Sequence, residues 1–445
     1  MSVTVRFAPS PTGHLHLGNL RAAIITWLFA RKQQGKFVLR IDDTDRERSK
    51  DEYTDSIKEI LTWLGLTWDE TFHQRGREDL YDAAIEKLKT EGRLYPCYET
   101  EDELGLKRKS LLSRGLPPVY DRAALDLTEA QIKAYEDEGR KPHWRFKLNH
   151  DPIQWNDHIR GEVNFHGKDL SDPVLIREDG TPLYHICSVV DDIDAKITHV
   201  VRGEDHVSNT ASHIQMFEAL GATAPDFAHL SILAGPNGEK LSKRNGALSA
   251  KELKEEAGVE ALAVISLIAR LGTSEPIEPM HDLQTAIDGF DFNKFSRNMP
   301  KFDVEELIRI NGKILHDTDF DAVKERLAEM GIADIDADFW KVARANIQKL
   351  SDIEEWYRVA KGPVEPVIDD AEFAATAASL LPEAPWDSNT WKEWSNAVKA
   401  ETGRKGKDLF MPLRCALTGK QHGPELRELL PLIGRERALE RLKAA

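Results

Sequence analysis

Strands and helices alternate from the N-terminus to residue 64, and this alternation limits the fold more than any other feature of the sequence. β-Rich runs at residues 3–7 and 37–41 are each followed by apolar residues at helical spacing. The pattern predicts a Rossmann-like parallel sheet with right-handed crossovers. Because ligands of such sheets bind beyond the carboxyl ends of the strands, we expect segments 8–19 and 42–45 to line one crevice.

The alternation is interrupted after residue 78 and resumes at residue 184, with short strands expected at 196–201 and 231–234. Ser49 and Glu52 are expected to cap the second helix, and the acidic stretch 365–384 is expected to be a linker or surface helix. We therefore predict a multidomain α/β protein with five segments. These are the two halves of the sheet domain (1–78 and 184–247), an inserted α+β domain (79–183), and mostly α-helical regions at 248–315 and 316–445.

Length and composition favour a multidomain enzyme. The 445 residues exceed what one hydrophobic core usually holds. The sequence has no apolar run of about 18 residues and no signal-peptide layout, so a cytoplasmic location without membrane contact is expected. Cys97, Cys187 and Cys415 are far apart, which predicts reduced thiols. The net charge of −16 disfavours nucleic acid as a partner only on average, because an acidic enzyme can carry local basic surfaces.

The first candidate site motif is the segment PSPTGHLHLG at residues 9–18. Its prolines and glycines define an extended loop that lets the backbone approach a ligand, and a predicted helix begins at Gly18 or Asn19. Free N–H groups and the positive dipole end of that helix face the loop, and His14 and His16 can donate hydrogen bonds to phosphate oxygens. The alternative is a turn with two solvent-exposed histidines, which the convergence of Gly, Pro and His on one helix start disfavours.

A second candidate is the basic segment KLSKR at residues 240–244, which has glycines on either side. Its three cations suit a clamp on phosphates that are being transferred. Short basic runs are common, so a solvated basic turn is the alternative.

Acidic segments follow two predicted strands. RIDDTD at residues 40–45 carries three carboxylates, which suit a metal, an amino group or a ribose hydroxyl, although a helix-capping acidic cluster is equally compatible. VVDD at 189–192 precedes THVVRGEDH at 198–206, in which Arg202 directly follows an apolar strand. A buried arginine at that place needs either an internal ion pair or a bound ligand.

Taken together, in order and spacing, these segments resemble glutamyl-tRNA synthetase, a class I aminoacyl-tRNA synthetase, of the bacterial type. The matching segments are RFAPSPTG at 6–13, LHLG at 15–18, LRIDDTD at 39–45, THVVRGEDH at 198–206 and LSKR at 241–244, together with Arg21 and Tyr184. The resemblance is clear over residues 1–250 and weaker beyond. Each motif is moderately specific, and the ordered set is highly specific.

The resemblance implies that ATP activates L-glutamate, with Mg²⁺ neutralising charge on the phosphates, and that the glutamyl group passes to the 3′-terminal adenosine of tRNA(Glu). It leaves open whether tRNA(Gln) is also charged, and a monomer is expected. The implied catalytic residues are His16 and Lys243. The implied ATP-binding residues are Ser10, Thr12, His14, His16, Gly18, Asn19, Lys240, Leu241, Ser242, Lys243 and Arg244. The implied glutamate-binding residues are Arg6, Ala8, Ser10, Asp42, Tyr184, Ser188 and Arg202.

Within that set, the resemblance implies that Arg6 and Tyr184 hold the side-chain carboxylate of glutamate. Ser10 and Asp42 are implied to hold the α-amino group, and Arg202 the α-carboxylate. An arginine that reads a carboxylate bidentately rejects neutral glutamine, because the charge would be left unpaired.

Three positions depart from the family pattern. Asp42 stands where most relatives have Glu, and Ser188 stands where the family often has Asn. Some relatives bind zinc in the inserted domain, but here only Cys97 remains, with Glu99 in place of a second Cys and no thiol at residues 120–122. We therefore predict no zinc and no metal-binding residues.

The resemblance also suggests where tRNA is bound. It implies that residues 79–183 bind the acceptor end, 248–315 contact the stem and 316–445 bind the anticodon. Lys and Arg outnumber Asp and Glu from residue 401 to the end, against the acidic trend of the chain. The predicted tRNA-binding residues are Arg108, Lys109, Lys147, Arg404, Lys405, Lys407 and Arg414.

Proteins with two other functions share parts of this sequence pattern. A glutamyl transferase that modifies a tRNA base carries the same N-terminal motifs but lacks a helical C-terminal half, so the length of this chain disfavours it. A non-catalytic RNA-binding paralogue is expected to have lost His16 or Lys243, and both are present.

Overall fold

The computed structural model describes residues 2–239, 241 and 248–444. Unit 1 comprises Met1–Glu256 and Ile265–Asp303, and unit 2 comprises Ala257–Val264 and Val304–Ala445. The strands, all in unit 1, are β1 (Thr4–Phe7), β2 (Lys36–Ile41), β3 (Glu70–His73), β4 (Leu94–Cys97), β5 (His143–Phe146), β6 (Pro152–Asp157), β7 (Gly161–His166), β8 (Val174–Ile176), β9 (His199–Gly203) and β10 (Asp226–Leu230). The helices up to residue 303 are α1 (Leu17–Lys32), α2 (Asp51–Trp63), α3 (Glu78–Thr90), α4 (Glu101–Ser113), α5 (Glu129–Asp137), α6 (Tyr184–Asp194), α7 (Val207–Ala219), α8 (Ala250–Glu255), α9 (Ala261–Arg270) and α10 (Leu283–Gly289).

The centre of unit 1 is a five-stranded parallel sheet with the strand order β10-β9-β1-β2-β3. This confirms the predicted Rossmann-like sheet. β1 and β2 run side by side, with Arg6 opposite Val38, and α1 buries nearly its whole length against the sheet domain. Since all five strands are parallel, the segments that follow β1, β2 and β9 all leave at the carboxyl end of the sheet, as the sequence predicted.

In the sheet domain, two local predictions were wrong and one strand was not predicted. The third strand, β3, was missed because its ETFH sequence is mostly exposed at the sheet edge and lacks an apolar run. The last strand is β10, and the predicted strand at 231–234 lies just beyond it; that segment is buried at Leu233 and Ala234 without joining the sheet. Helix α2 has Lys50 at its N-cap with no side-chain cap, so the expected Ser49 cap does not form.

The residues between the two halves of the parallel sheet form β-strands that do not belong to it. β4, β5 and β8 form an antiparallel sheet, and β6 and β7 form a hairpin. Helix α4 begins with a capping box at Thr100 and Glu103 and buries none of its side chains. Its apolar residues Leu106 and Leu112 are exposed.

Unit 2 is helical over its described residues. Its helices beyond residue 303 are α11 (Val304–Asp317), α12 (Phe320–Glu329), α13 (Ala337–Ala343), α14 (Ile353–Lys361), α15 (Ala371–Ser379), α16 (Thr390–Thr402), α17 (Lys407–Thr418), α18 (Leu426–Ile433) and α19 (Arg435–Leu442). Trp340, Trp394 and Leu413 are fully buried in one hydrophobic cluster. The stretch 365–384 is not a linker or surface helix, because α15 buries Phe373 and Ala377 in that cluster. No helix within the described ranges is long and apolar enough to cross a membrane.

Candidate active site

The loop after β1 ends in a histidine-capped helix. His16 is the N-cap of α1, and its Nδ1 accepts a hydrogen bond from the backbone N–H of Asn19 at 3.3 Å. A Cβ at Gly18 would lie 3.1 Å from the His16 ring, so a side chain at that position would displace the ring. Burial lowers the pKa of His16 although Asp205 raises it, so the imidazole is neutral at physiological pH. The cap therefore places a neutral imidazole at the positive end of a helix.

The chain that follows the second motif joins this loop. Ser249 forms an antiparallel bridge with His16, and the N–H of Ala250 donates to the carbonyl of Leu15 at 2.9 Å. Ser249 also caps α8. Backbone contacts thus join the first predicted ATP motif to residues 249 and 250, which follow the second motif in the chain. Leu241 is half-buried, while the predicted residues Lys240, Ser242, Lys243 and Arg244 lie outside the described residues.

The other predicted loop residues have different surroundings. Ser10 and Thr12 are exposed at the crevice, and the backbone of Asp42 donates to the Pro9 carbonyl at 3.0 Å, which joins the loops after β1 and β2. His14 contacts the Ser56 hydroxyl at 3.1 Å and packs edge-on against Tyr53, both on α2. His14 therefore attaches the loop to α2.

Arg40 is the centre of a buried charge network at the end of β2. It donates to both carboxylate oxygens of Asp42, at 2.6 and 3.1 Å, and to Asp192 at 2.7 Å. It also donates to the Ser188 hydroxyl at 3.1 Å. Asp191 lies 3.9 Å from the Arg40 guanidinium. Three carboxylates thus surround one guanidinium that is 1% exposed.

Arg6 is connected to this network through Asp192. Its Nε donates to the two Asp192 oxygens at 3.1 and 3.3 Å, so that carboxylate bridges Arg6 and Arg40. Asp191 accepts hydrogen bonds from Gln74, Arg77 and Tyr81. The predicted pocket residues Arg6, Asp42 and Ser188 are therefore brought together by one hydrogen-bonded network.

Burial raises the pKa of Asp42 to about 6, although the adjacent Arg40 guanidinium lowers it. The carboxylate is ionised at pH 7 but becomes neutral at a higher pH than a free aspartate does. Asp42 therefore carries the negative charge that an ammonium group would require.

Arg202 differs from Arg6 and Arg40 because the hydrogen-bond partners of its guanidinium are uncharged. It donates to the Tyr184 hydroxyl at 3.0 Å and to the Thr210 hydroxyl at 2.6 Å. It also donates to the His206 carbonyl and to the His229 ring, each at 3.4 Å. Burial lowers the pKa of Arg202. An anionic ligand would complete its surroundings.

In the inserted segment, the side chains around Cys97 are hydrogen-bonded to one another. The Tyr120 hydroxyl donates to Glu99 at 2.8 Å and lies 3.8 Å from the Cys97 sulfur. Lys107 donates to Glu99 at 2.9 Å. Burial raises the pKa of Cys97 to about 11, and Cys97 is the one thiol beside Glu99 and Tyr120 in this group of contacts. The donor set does not fit a zinc ion, and the absence of zinc there stays a prediction.

The predicted tRNA-binding residues fall into two groups. Arg108, Lys109 and Lys147 in the inserted segment, and Lys405 and Lys407 in unit 2, are exposed. Arg404 pairs with Asp370 and covers the Phe373 ring, and Arg414 donates to the Pro424 carbonyl at 3.0 Å. Arg404 and Arg414 are therefore held by contacts within unit 2, in contrast to the exposed lysines.

Sequence reasoning did not assign Arg40, Asp192 or Thr210 to the site. Arg40 lies in the segment RIDDTD and Asp192 in the segment VVDD. Buried arginines such as Arg6 and Arg40 need carboxylates nearby, and that requirement could have indicated both residues. Thr210 gives no such signal, because its role depends on where α7 starts.

These features define a nucleotide-binding sheet of the class I aminoacyl-tRNA synthetases. Residues 2–309 match the family "tRNA synthetases class I (E and Q), catalytic domain", and residues 341–445 match "Anticodon binding domain".

Relatives that align with nearly the whole chain show which family of these synthetases it belongs to. The chain is 55% identical over 442 residues to a glutamate–tRNA ligase of Azospirillum brasilense, covering 99% of each chain. It is 53% identical over 438 residues to glutamate–tRNA ligase 1 of Maricaulis maris, covering 98% of each. A crystal structure of a glutamate–tRNA ligase from Elizabethkingia meningosepticum, in complex with its amino acid, aligns with a TM-score of 0.86 at 29% identity, covering 99% of this chain and 98% of that one. The chain belongs to the glutamate–tRNA ligase family.

Proposed function

We propose that the protein activates L-glutamate with ATP and transfers it to the terminal adenosine of tRNA(Glu). The observation that carries this proposal is Arg202, a buried cation in the crevice whose contacts are to uncharged groups. A substrate carboxylate is the ligand that such an arginine binds most strongly. Arg6, at the end of β1, supplies a second cation for a substrate with two carboxylates.

The proposed pocket assigns one contact to each charged group of glutamate. Arg6 and Tyr184 hold the side-chain carboxylate, and Arg202 holds the α-carboxylate. Asp42 and Ser10 hold the α-ammonium group, while Ala8 lines the loop beside them. The Ser188 hydroxyl accepts from Arg40, which in turn donates to Asp42, so Ser188 acts on the pocket through Arg40.

The first chemical step joins the two substrates. An α-carboxylate oxygen of glutamate attacks the α-phosphorus of ATP, the bond to the β-phosphate breaks, and pyrophosphate leaves. His16, Gly18, Asn19 and Thr12 form the ATP-facing loop in this proposal, and Lys243 with its neighbours at 240–244 neutralises the phosphates. A ribose hydroxyl of tRNA then attacks the acyl carbon and AMP leaves. These residues act by positioning and charge stabilisation.

Mg²⁺ would be bound chiefly by the phosphates of ATP. The acidic side chains beside the crevice already have protein partners: Asp43 accepts from His73 and from the Arg75 backbone, and Asp45 accepts from Arg48. Mg²⁺ commonly keeps several waters and takes few protein ligands beside substrate phosphates. We therefore assign no protein residue to the ion.

ATP–pyrophosphate exchange with glutamate tests the proposed function, measured with and without tRNA. Glutamate-dependent exchange followed by charging of tRNA(Glu) is expected, and the Lys243→Ala variant is expected to lose exchange. No exchange under either condition would exclude a synthetase and leave an RNA-binding paralogue. Exchange without formation of glutamyl-tRNA would point to a transferase. Charging of purified tRNA(Gln) in parallel decides whether that tRNA is also a substrate.

The KM for glutamate is expected to rise as pH falls below about 6. Because burial raises the pKa of Asp42 to about 6, its neutral form accumulates below that pH and no longer attracts the ammonium group. In the limit the rise is about tenfold per pH unit. Aminoacylation at saturating ATP and tRNA measures it. The Asp42→Asn variant should show a high KM that changes little with pH; a variant that keeps the wild-type pH profile would remove Asp42 from this role.

Lysines 405 and 407 are expected to contact tRNA phosphates. Replacing both with alanine should raise the KM for tRNA and reduce the slope of log affinity against log salt by roughly 1.5. Tyr, Phe and Trp side chains can stack bases, and Phe410 is 44% exposed nearby. The double variant Lys324→Ala/Lys341→Ala removes the same charge from exposed positions elsewhere in unit 2. Equal salt slopes for the two double variants would contradict the assignment.

A further inference from the structure

Two histidines and an aspartate converge at the amino ends of β9 and β10. The ligand atoms of His158, His199 and Asp226 all lie within 4.8 Å of one another. His199 Nε2 and Asp226 Oδ2 are 3.5 Å apart. Since Arg202 lies at the other end of β9, about 10 Å along the strand, this cluster is separate from the proposed glutamate site.

The backbone of the sheet positions all three residues. His199 and Asp226 are register partners in the parallel pair β9–β10. His158 follows β6, and its N–H donates to the Phe227 carbonyl at 2.9 Å. The buried carboxylate of Asp157 accepts from the backbone N–H groups of residues 159, 160 and 229, which holds the turn between β6 and β7 against β10. The three side chains therefore start from fixed backbone positions.

A hydrogen-bond chain links Nδ1 of His199 to the backbone of β1. The Thr198 hydroxyl donates to the Thr4 carbonyl at 3.1 Å and lies 2.8 Å from His199 Nδ1. With the Thr198 hydroxyl proton on the Thr4 carbonyl, Nδ1 is the nitrogen that donates to the Thr198 oxygen, and this is the tautomer that the proposed site uses. In the neutral ring the lone pair of Nε2 then faces the Asp226 carboxylate. Two acceptors that face each other favour a cation between them, and a second-sphere bond at Nδ1 is typical of metal-ligating histidines.

We propose that His158, His199 and Asp226 bind one Zn²⁺ ion, with water completing the coordination. Imidazole nitrogens and a carboxylate oxygen are ordinary zinc ligands. Tetrahedral zinc places its ligand atoms about 3.3 Å apart, close to the separation that His199 and Asp226 already have. His158 is exposed, so rotation of its side chain can complete the set.

The proposed ion would join the β6–β7 hairpin, part of the inserted segment, to the central sheet. This site departs from the prediction of no metal-binding residues. Its three residues are far apart in the chain and belong to no short metal motif, so the sequence did not indicate it. The competing explanation is an aromatic cluster, since His158 stacks on Phe292 and His199 packs edge-on against Phe29. A metal titration separates the two explanations.

The full-length protein, stripped with a chelator, is titrated with Zn²⁺ alone in competition with a chromogenic chelator. We expect one tightly bound ion and a rise in Tm on its addition. His158→Gln and Asp226→Asn, both at exposed positions, are expected to weaken binding at least tenfold and to abolish the Tm rise. His166→Gln, an exposed histidine in the same hairpin, is the matched control and should bind as the wild type does.

Two results would overturn the proposal: no stoichiometric binding by the wild type, or binding that persists in both His158→Gln and Asp226→Asn. Persistent binding would place the ion elsewhere in the chain. The His158→Phe variant keeps an aromatic ring against Phe292. It should retain the Tm of the metal-free wild type while losing the zinc response, which separates loss of a ligand from loss of packing.

Discussion

Replacing Arg202 with methionine is expected to lower kcat/KM for glutamate by roughly 10²–10⁴-fold. In the proposed complex a substrate carboxylate is paired with this buried guanidinium, and removing one partner of such a pair costs about 3–5 kcal/mol. At about 1.4 kcal/mol for each factor of ten, that range gives the stated loss. The variant should still fold, because the groups it leaves behind, the Tyr184 and Thr210 hydroxyls among them, are uncharged. Glutamate-dependent ATP–pyrophosphate exchange in the presence of tRNA measures the effect.

Two further variants make this result interpretable. Arg202→Lys keeps the charge but not the forked donors, so its activity should lie between those of wild type and Arg202→Met. Arg31→Met removes an arginine whose salt bridge with Asp69 is partly solvent-exposed, and it should retain wild-type kinetics. If Arg202→Met is folded by circular dichroism and keeps activity within about threefold of wild type, Arg202 does not bind the substrate carboxylate.

The sequence predicted the sheet domain well because its signal is local. The alternation of strands and helices specifies a parallel sheet, and parallel strands bring the following loops to one edge. The predictions failed where contacts between residues distant in the chain determine the structure. β3 is an edge strand with little apolar character, and α15 reads as an acidic surface segment although Phe373 packs into the core of unit 2.

The candidate site was predicted as a set of residues but not as a network. The motifs and the family resemblance predicted Arg6, Asp42 and Arg202 as site residues with separate roles, yet they did not indicate how each arginine is paired within the protein. The structure separates them by their partners: Arg6 and Arg40 share Asp192, whereas Arg202 contacts uncharged groups. Arg6 and Arg40 lie 186 and 152 positions from Asp192 in the chain, and composition and spacing carry no information about that pairing.

Replacing Arg40 with methionine is expected to destabilise unit 1 by about 3–5 kcal/mol. Asp42 and Asp192 both accept hydrogen bonds from Arg40, and Asp191 lies 3.9 Å away, so the variant leaves buried carboxylates without their main counter-charge. Arg40→Met is therefore expected to lower the stability of unit 1, whereas Arg202→Met is expected to lower activity in a protein that still folds. Because a chain of two units need not unfold in one step, amide hydrogen exchange in β1 and β2 is the appropriate measurement.

Two controls show whether buried charge causes that loss. Arg48→Met breaks a largely exposed pair with Asp45 in the same unit and should change stability by no more than about 1 kcal/mol. The double variant Arg40→Met/Asp42→Asn removes one of the stranded carboxylates together with the arginine, so it should be more stable than Arg40→Met alone. A loss for Arg40→Met no larger than that of Arg48→Met would show that the network does not stabilise the sheet. Arg40 would then serve only to orient Asp42 toward the ammonium group of glutamate.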